Sequence, residues 1–375
     1  MAVTQQENAS TAPTPRELLL AELDKVRKFL DYLQQASARG DRADDDQLAS
    51  LGMARTPRRT WYQEGSCQVL EFPVPAGVAP HPTPLLMTYS FINRWYILDL
   101  MPGHSFIEAL GRRGWQVYLI DWGIPGPEHA SLSLDYYLEQ VARRAVERLR
   151  RRHRVDRVFL FGYCLGGTLA AMMAARHPEW YKGLILLTTP LEFQNAGLLS
   201  LWTNKEFFRP EKLADAFGVV PEKLLHASFP FLKPKDHLAK PRTLYDNITN
   251  DAFLQNFRSL DRWATDNVPF PGQVFKQVIK GLYQEDQLAN GEFVLGGQKL
   301  RLGDITCPTL NIYAKNDHIA PPSTCRRNAD LLTGCRTTNR EYDAAHLTVT
   351  VAHPIRETVW RETADWLAAV ETGRP

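Results

Sequence analysis

Apolar side chains recur every three or four positions near the start of the chain, at Leu19, Leu20, Leu23, Val26, Phe29, Leu30 and Leu33. That is the spacing of one helix face. Thr14-Pro15 supplies a start signal and the charged stretch 39–46 a stop, while the polar residues 1–13 are expected to fray. The stripe is expected to pack on the domain or on a partner helix, with a surface-seeking amphipathic helix as the alternative. A β-type segment follows around 61–72.

From residue 84 the pattern alternates. Apolar runs rich in β-branched and aromatic residues at 84–92, 115–121, 157–163 and 183–189 predict strands, and helices fall at 104–113, 134–152 and 165–176. Repeated strand–helix–strand predicts a mostly parallel central sheet covered by helices on both faces. The alternation stops near Pro190. Residues 191–298 are rich in aromatics and prolines and predict helices and loops without sheet order. Strands resume at 309–314 and around 340–342, before a final helix at 355–370. An insertion of this kind between two strands is how a cap or lid is built. The predicted division is an N-terminal helical extension and linker at 1–50, a sheet domain at 51–190 and 299–375, and an inserted cap at 191–298.

Candidate chemistry lies where the strand at 157–163 ends. Gly162-Tyr163-Cys164-Leu165-Gly166-Gly167 joins it to an Ala-rich helix. This is the G-x-S-x-G nucleophile elbow with cysteine in the serine position. Gly162 and Gly166 flank the cysteine because larger side chains would clash at so sharp a turn. The helix start favours a thiolate at Cys164, and Leu165 N–H is a candidate oxyanion donor. Taken alone, the stretch fits a buried structural cysteine equally well.

Two further residues change that balance. Asp317 follows the strand at 309–314, and His346 follows the next strand, at the strand ends where ligands meet open α/β sheets. Nucleophile, acid, histidine is the chain order of the α/β-hydrolase fold, which is the fold assigned. Cys164, Asp317 and His346 are the catalytic candidates: His346 accepts the thiol proton and Asp317 holds its tautomer. A second oxyanion donor is expected within 91–93 and assigned to Ile92. Singly, Asp317 also fits a turn cap and His346 a core histidine. His318 is the competing base, and His353 is placed at a helix start.

Composition narrows the rest. With 44 basic and 42 acidic residues the net charge is +2, so nothing global points to nucleic acid. Five cysteines without close pairs point to neither a disulfide framework nor a zinc site, and no metal is expected. Residues 158–175 nearly reach the length of a membrane span, but the glycines and Cys164 inside them argue for strand, turn and helix. No transmembrane segment and no secretory signal are read, so a cytoplasmic protein is expected.

With these residues in place, the chain resembles the polyhydroxyalkanoate synthases, in particular the short catalytic subunit of the two-component enzymes, from about residue 51 to 367. The likeness rests on Phe91-Ile92-Asn93-Arg94 with Tyr96 and Asp99, and on Tyr118-Leu119-Ile120-Asp121-Trp122-Gly123. It continues through the Cys164 elbow, Thr189-Pro190, Val294-Leu295-Gly296-Gly297, Cys307-Pro308, and Asp317-His318 with Pro321-Pro322. The elbow is shared with dienelactone-hydrolase-like proteins; the Tyr118 to Gly123 strand end and the long insertion are more specific. One position departs from the family, which has glycine before its catalytic histidine. Here Ala344-Ala345 precede His346, and because alanine resists positive φ, a shifted His346 loop is expected.

The resemblance implies (R)-3-hydroxyacyl-CoA substrates, short-chain 3-hydroxybutyryl-CoA first among them, with CoA a product and no separate cofactor. It also implies a homodimer, a non-catalytic partner subunit and attachment to polyester granules. A cysteine suits such a reaction, since exchanging one thioester for another loses little driving force and the thiolate leaves readily. Water must be kept out, which falls to the cap and its aromatics (Trp202, Phe207, Phe208, Phe229, Phe231, Trp263, Phe270, Phe275), although most of these are expected to be packing residues. The rival readings are a cysteine hydrolase of esters, lactones or thioesters, and an inactive granule scaffold. The run Arg143, Arg144, Arg148, Arg150, Arg151, Arg152, Arg154 and Arg157 is read first as a solvated face at the sheet end away from the site. Contact with an acidic partner is the second reading and CoA binding the last.

Overall fold

The structure, a computed structural model, describes residues 14–374 apart from 39, 41, 195, 233 and 353, and gives the backbone alone at 229, 230 and 234–237. The expectations for residues 1–13 and for His353 lie outside the described residues, as does that for the Phe229 side chain.

Eight strands form one sheet: β1 (Arg59–Glu64), β2 (Cys67–Phe72), β3 (Leu85–Thr88), β4 (Val117–Asp121), β5 (Val158–Tyr163), β6 (Tyr181–Leu187), β7 (Thr309–Ala314) and β8 (Thr337–Tyr342). Their order is β1-β2-β4-β3-β5-β6-β7-β8. β1, β2 and β4 pair antiparallel, and every later pair is parallel. β3, β5 and β7 are buried along their whole length, as a sheet covered on both faces requires. That double burial is why these strands read as unbroken apolar runs. β5 lies between β3 and β6, with Thr88 opposite Gly162 and Tyr163 opposite Leu187, so it delivers its C-terminal end to the middle of the sheet.

The insertion after β6 is mostly helical, with helices at Pro210–Phe217, Glu222–Ser228, Pro234–Asn247 and Asp251–Thr265. It is not uniform. Phe270, Val274, Phe275, Val278, Leu282 and Phe293 join the core of the sheet domain, while Leu244, Ile248 and Leu254 form a separate cluster with Tyr32 of the N-terminal helix. That helix, Pro15–Ser37, opens on a capping box between Thr14 and Glu17. Its buried side is not the leucine stripe. Tyr32 donates to Asp261 (2.6 Å) and Phe29 meets Tyr245 edge-on, whereas Leu19, Leu23, Val26, Leu30 and Leu33 are 60, 55, 42, 58 and 45% exposed. Of the stripe, Phe29 packs on the domain as expected, while its leucines and Val26 stay exposed. The charged linker is also shorter than expected, because Asp44 caps a short helix at Asp45–Ser50 through Gln47 N–H (2.7 Å).

The arginine run is only partly a solvated face. It lies on the helix ending at His153 and clamps the β1–β2 hairpin. Arg144 pairs with Glu64, and Arg152 with the nearly buried Glu71 (3.0 Å). Arg148 stacks over Tyr62 and Arg152 over Trp61, and Arg150 covers Trp180.

Candidate active site

The elbow places Cys164 on a backbone that few side chains tolerate, with φ 55° and ψ −132°. Its N–H donates to Leu187 O (2.9 Å), which ties the turn to β6. The glycines around it are required by contact. A Cβ on Gly162 would sit 2.2 Å from Gly167 Cα, and one on Gly166 would sit 2.4 Å from Tyr89 Cα. Thr88 Oγ1 donates to Gly166 O (2.7 Å), so the loop after β3 lies directly against the start of the elbow helix.

Asp317 and His346 come to the same place from β7 and β8. Asp317 Oδ1 accepts the N–H groups of Ile319 (2.8 Å) and Ala320 (2.9 Å), which orients the carboxylate and leaves Oδ2 for His346 Nδ1 at 2.7 Å. Both side chains are buried. Burial alone would push the imidazole below its ordinary pKa, but the Asp317 carboxylate and the Cys164 sulfur outweigh it and lift the value to about 10. The imidazolium form is therefore favoured, held by the Asp317 carboxylate beside the Cys164 sulfur. His318, half-buried on the same loop, does not take this place. The Ala344-Ala345 departure costs no strain: neither residue is among the described positions with positive φ. Asn316 N–H donates to Ala344 O (2.9 Å), and Ala345 N–H to Thr348 Oγ1 (2.7 Å).

The two oxyanion candidates differ. Leu165 opens the elbow helix, where the first N–H groups have no intrahelical partner. Ile92 N–H donates to Ser90 Oγ (3.3 Å) and Ile92 O accepts from Val268 (3.0 Å), so Ile92 would have to leave Ser90 to serve an oxyanion. Residues not singled out in the sequence also shape the site. Tyr163, inside the elbow, donates to His346 O (3.4 Å) with its ring beside the imidazole. Tyr283, from the insertion, has its phenol pKa raised by burial and, to a lesser degree, by the charge of Cys164, and its ring packs edge-on against Phe193. Tyr163 stood next to the candidate cysteine and could have been named; nothing local marks Tyr283.

The motif residues after β3 bind the insertion. Asn93 donates to Asn267 (3.0 Å), Tyr96 to Asp266 (2.7 Å), and Trp263 Nε1 to Arg94 O (2.9 Å). Asp99 instead accepts from Thr56 N and Oγ1 and is a structural anchor.

Residues 92–351 match the model of the alpha/beta hydrolase fold family. Among solved structures, a monoacylglycerol lipase of Paleococcus ferrophilus shares the fold at TM-score 0.51 and 16% identity, over 82% of this chain and all of that one. Among characterised relatives, the poly(3-hydroxyalkanoate) polymerase subunit PhaC of Allochromatium vinosum is 33% identical over 349 residues, 92% of this chain and 97% of that protein. The chain belongs to the PhaC family. The PhaC subunit of Haloferax mediterranei is 32% identical over 92% of this chain and 70% of its own length. In this PhaC protein Cys164, Asp317 and His346 follow β5, β7 and β8 in the chain order of the α/β-hydrolase fold. Among the described residues, no helix is long and apolar enough to cross a membrane.

Proposed function

We propose that this PhaC chain polymerises (R)-3-hydroxyacyl-CoA, with 3-hydroxybutyryl-CoA the leading substrate, through a covalent acyl thioester on Cys164. The observation that carries the reading is the hydrogen-bonded line from Asp317 Oδ2 to His346 Nδ1 beside the elbow cysteine. Cys164 thiolate attacks the acyl carbonyl, and the C–S bond to CoA breaks. The CoA thiolate leaves with the proton from His346. Neutral His346 then takes the proton of an incoming 3-hydroxyl, whose oxygen attacks the acyl group on Cys164. An ester forms, the bond to Cys164 breaks, and the chain, one unit longer and ending in CoA, is ready to be taken back by the sulfur. Water at that step would end the chain, and the insertion around Phe270, Phe275 and Tyr283 is the element that excludes it.

The subunit naming of the relatives supports a two-component enzyme in which a non-catalytic partner primes the insertion. The isolated chain then releases CoA slowly, after a lag, and works at a polyester granule surface. The test is purified protein with 3-hydroxybutyryl-CoA, scoring released CoA against insoluble polymer and free acid. Polymer with CoA release supports the reading; free 3-hydroxybutyrate as the sole product overturns it in favour of a hydrolase.

A further inference from the structure

The backbone donor assigned to the loop after β3 is already engaged. Ile92 N–H donates to Ser90 Oγ (3.3 Å), although that loop lies against the elbow helix, where the α/β-hydrolase fold finds its second oxyanion donor. The engagement is set from outside the loop. Asn267, buried in the insertion, donates from Nδ2 to Ala264 O (3.0 Å) and toward His226 Nδ1 (3.2 Å). A carbonyl only accepts, so the Asn267 amide is fixed one way round. Its Oδ1 therefore takes the bond from Asn93 Nδ2 (3.0 Å), which turns Asn93 Oδ1 to Ser90 Oγ (3.4 Å). A serine hydroxyl has one proton to donate. With that proton on the Asn93 side, the lone pairs of Ser90 Oγ are left facing Ile92 N–H.

Each link thus has a single polarity, fixed at Ala264 and ending at Ile92. The carbonyl side of Ile92 is held from the same segment, since Val268 N–H donates to Ile92 O (3.0 Å). The bond that gives way in catalysis is therefore the one to Ser90. When Cys164 adds to the acyl carbon, the carbonyl π pair moves onto oxygen. That oxygen needs the N–H until it returns the pair and the CoA thiolate is expelled. A charged acceptor holds a donor about twice as strongly as a neutral hydroxyl does, so the oxyanion wins the N–H, less what the Ser90 bond was worth. The two Ser90 bonds are the longest of the chain, which keeps that loss small.

We propose that Ser90 competes with the bound acyl group for the Ile92 N–H, and that Asn267, acting through Asn93, keeps Ser90 turned to Ile92. Both act through Ile92 and are positioning residues. The proposal rests on acylation of Cys164. It holds whether the acyl group then passes to a hydroxyl or to water, because acylation forms the same oxyanion in either case.

The test is the single-turnover rate of CoA release from 3-hydroxybutyryl-CoA with the full chain in excess, read beside the melting temperature. Ser90→Ala deletes the competing oxygen. It is expected to raise the saturated rate by ~2–10-fold, the worth of one neutral hydrogen bond, with the enzyme concentration for half-maximal rate unchanged. Ser90→Cys, which leaves a weaker acceptor, should fall between wild type and Ser90→Ala. Loss of a purely structural bond does not accelerate a reaction, so a rate that stays level or falls in Ser90→Ala overturns the competition. Asn267→Leu removes the amide, and its effect on the rate should differ between the wild-type and Ser90→Ala backgrounds by at least ~2-fold, whatever it does to melting. Equal effects in the two backgrounds overturn the role of Asn267. If wild type releases no CoA and Cys164 carries no acyl group, the acyl-transfer reading fails and the proposal with it. Acylated wild-type Cys164 without acceleration in Ser90→Ala refutes the competition alone.

Discussion

Around Cys164 the side chains are fixed by named partners: Asp317 by two N–H groups and His346, His346 by Asp317, and the elbow by β6 and the loop after β3. The insertion and the N-terminal helix are built differently. Phe207, Phe231 and Leu238 are 80, 67 and 78% exposed, in addition to the leucines of the N-terminal helix. The contrast teaches where each region's geometry is decided. At the sheet end Asp317 and His346 are buried and bonded to each other, with Cys164 half-buried beside them, so the pair is preorganised. The insertion instead leaves several large apolar side chains in solvent.

The largest loss is expected at His346. His346→Gln is expected to lower CoA release by ~10²–10⁴-fold, with His318→Gln costing much less; a larger loss at His318 would move the base off the β8 loop. Gly166→Ala comes next. Its new Cβ meets main-chain atoms of Tyr89 at 2.4 Å, which cannot rotate away, so a destabilisation of ~1–3 kcal/mol or more is expected, together with loss of turnover. Unchanged melting would show the elbow to be looser than drawn.

What the sequence revealed follows the same division. The helix Leu165–Arg176 and the strand Thr309–Ala314 end where their patterns end, because a doubly covered sheet makes burial and periodicity coincide. Cys164, Asp317 and His346 were legible because each sits just past a strand, in a fixed order. The leucine stripe was legible as a helix face, yet its environment was not. Periodicity marks a face that avoids water without saying what covers it: of that stripe Phe29 docks, together with Tyr32, which the stripe did not include. Tyr283 was hidden because its burial beside Phe193 is made by tertiary folding of a segment with no local signature.

A third test concerns protons. His346 has its pKa raised in the folded state, to about 10, above the unfolded value of about 6.5. The stability it contributes is fully present below about pH 6.5 and is lost as the pH rises toward and through the folded value. In a Cys164→Ala background, where Asp317 alone is left to raise the imidazole, the stability advantage over Cys164→Ala/His346→Gln should shrink as the pH rises above about 6.5, over a narrower window than in the wild type and by at most ~1.4 kcal/mol per pH unit. An advantage that grows with pH would contradict the assigned pairing. The smallest effect is expected at the hairpin clamp. Arg144→Ala, which removes a half-exposed partner of Glu64, should cost ~0.2–1 kcal/mol in chemical denaturation and leave CoA release unchanged; a change in CoA release would connect the arginine run to catalysis after all.

The central claim is that the sheet end makes Cys164 the covalent nucleophile. Intact-protein and peptide mass spectrometry after exposure to 3-hydroxybutyryl-CoA tests it most directly. The account predicts a hydroxybutyryl adduct on the peptide containing Cys164, absent in Cys164→Ala, which should also release no CoA. An adduct on Cys325 or Cys335 with Cys164 unmodified, or continued CoA release by Cys164→Ala, would contradict it.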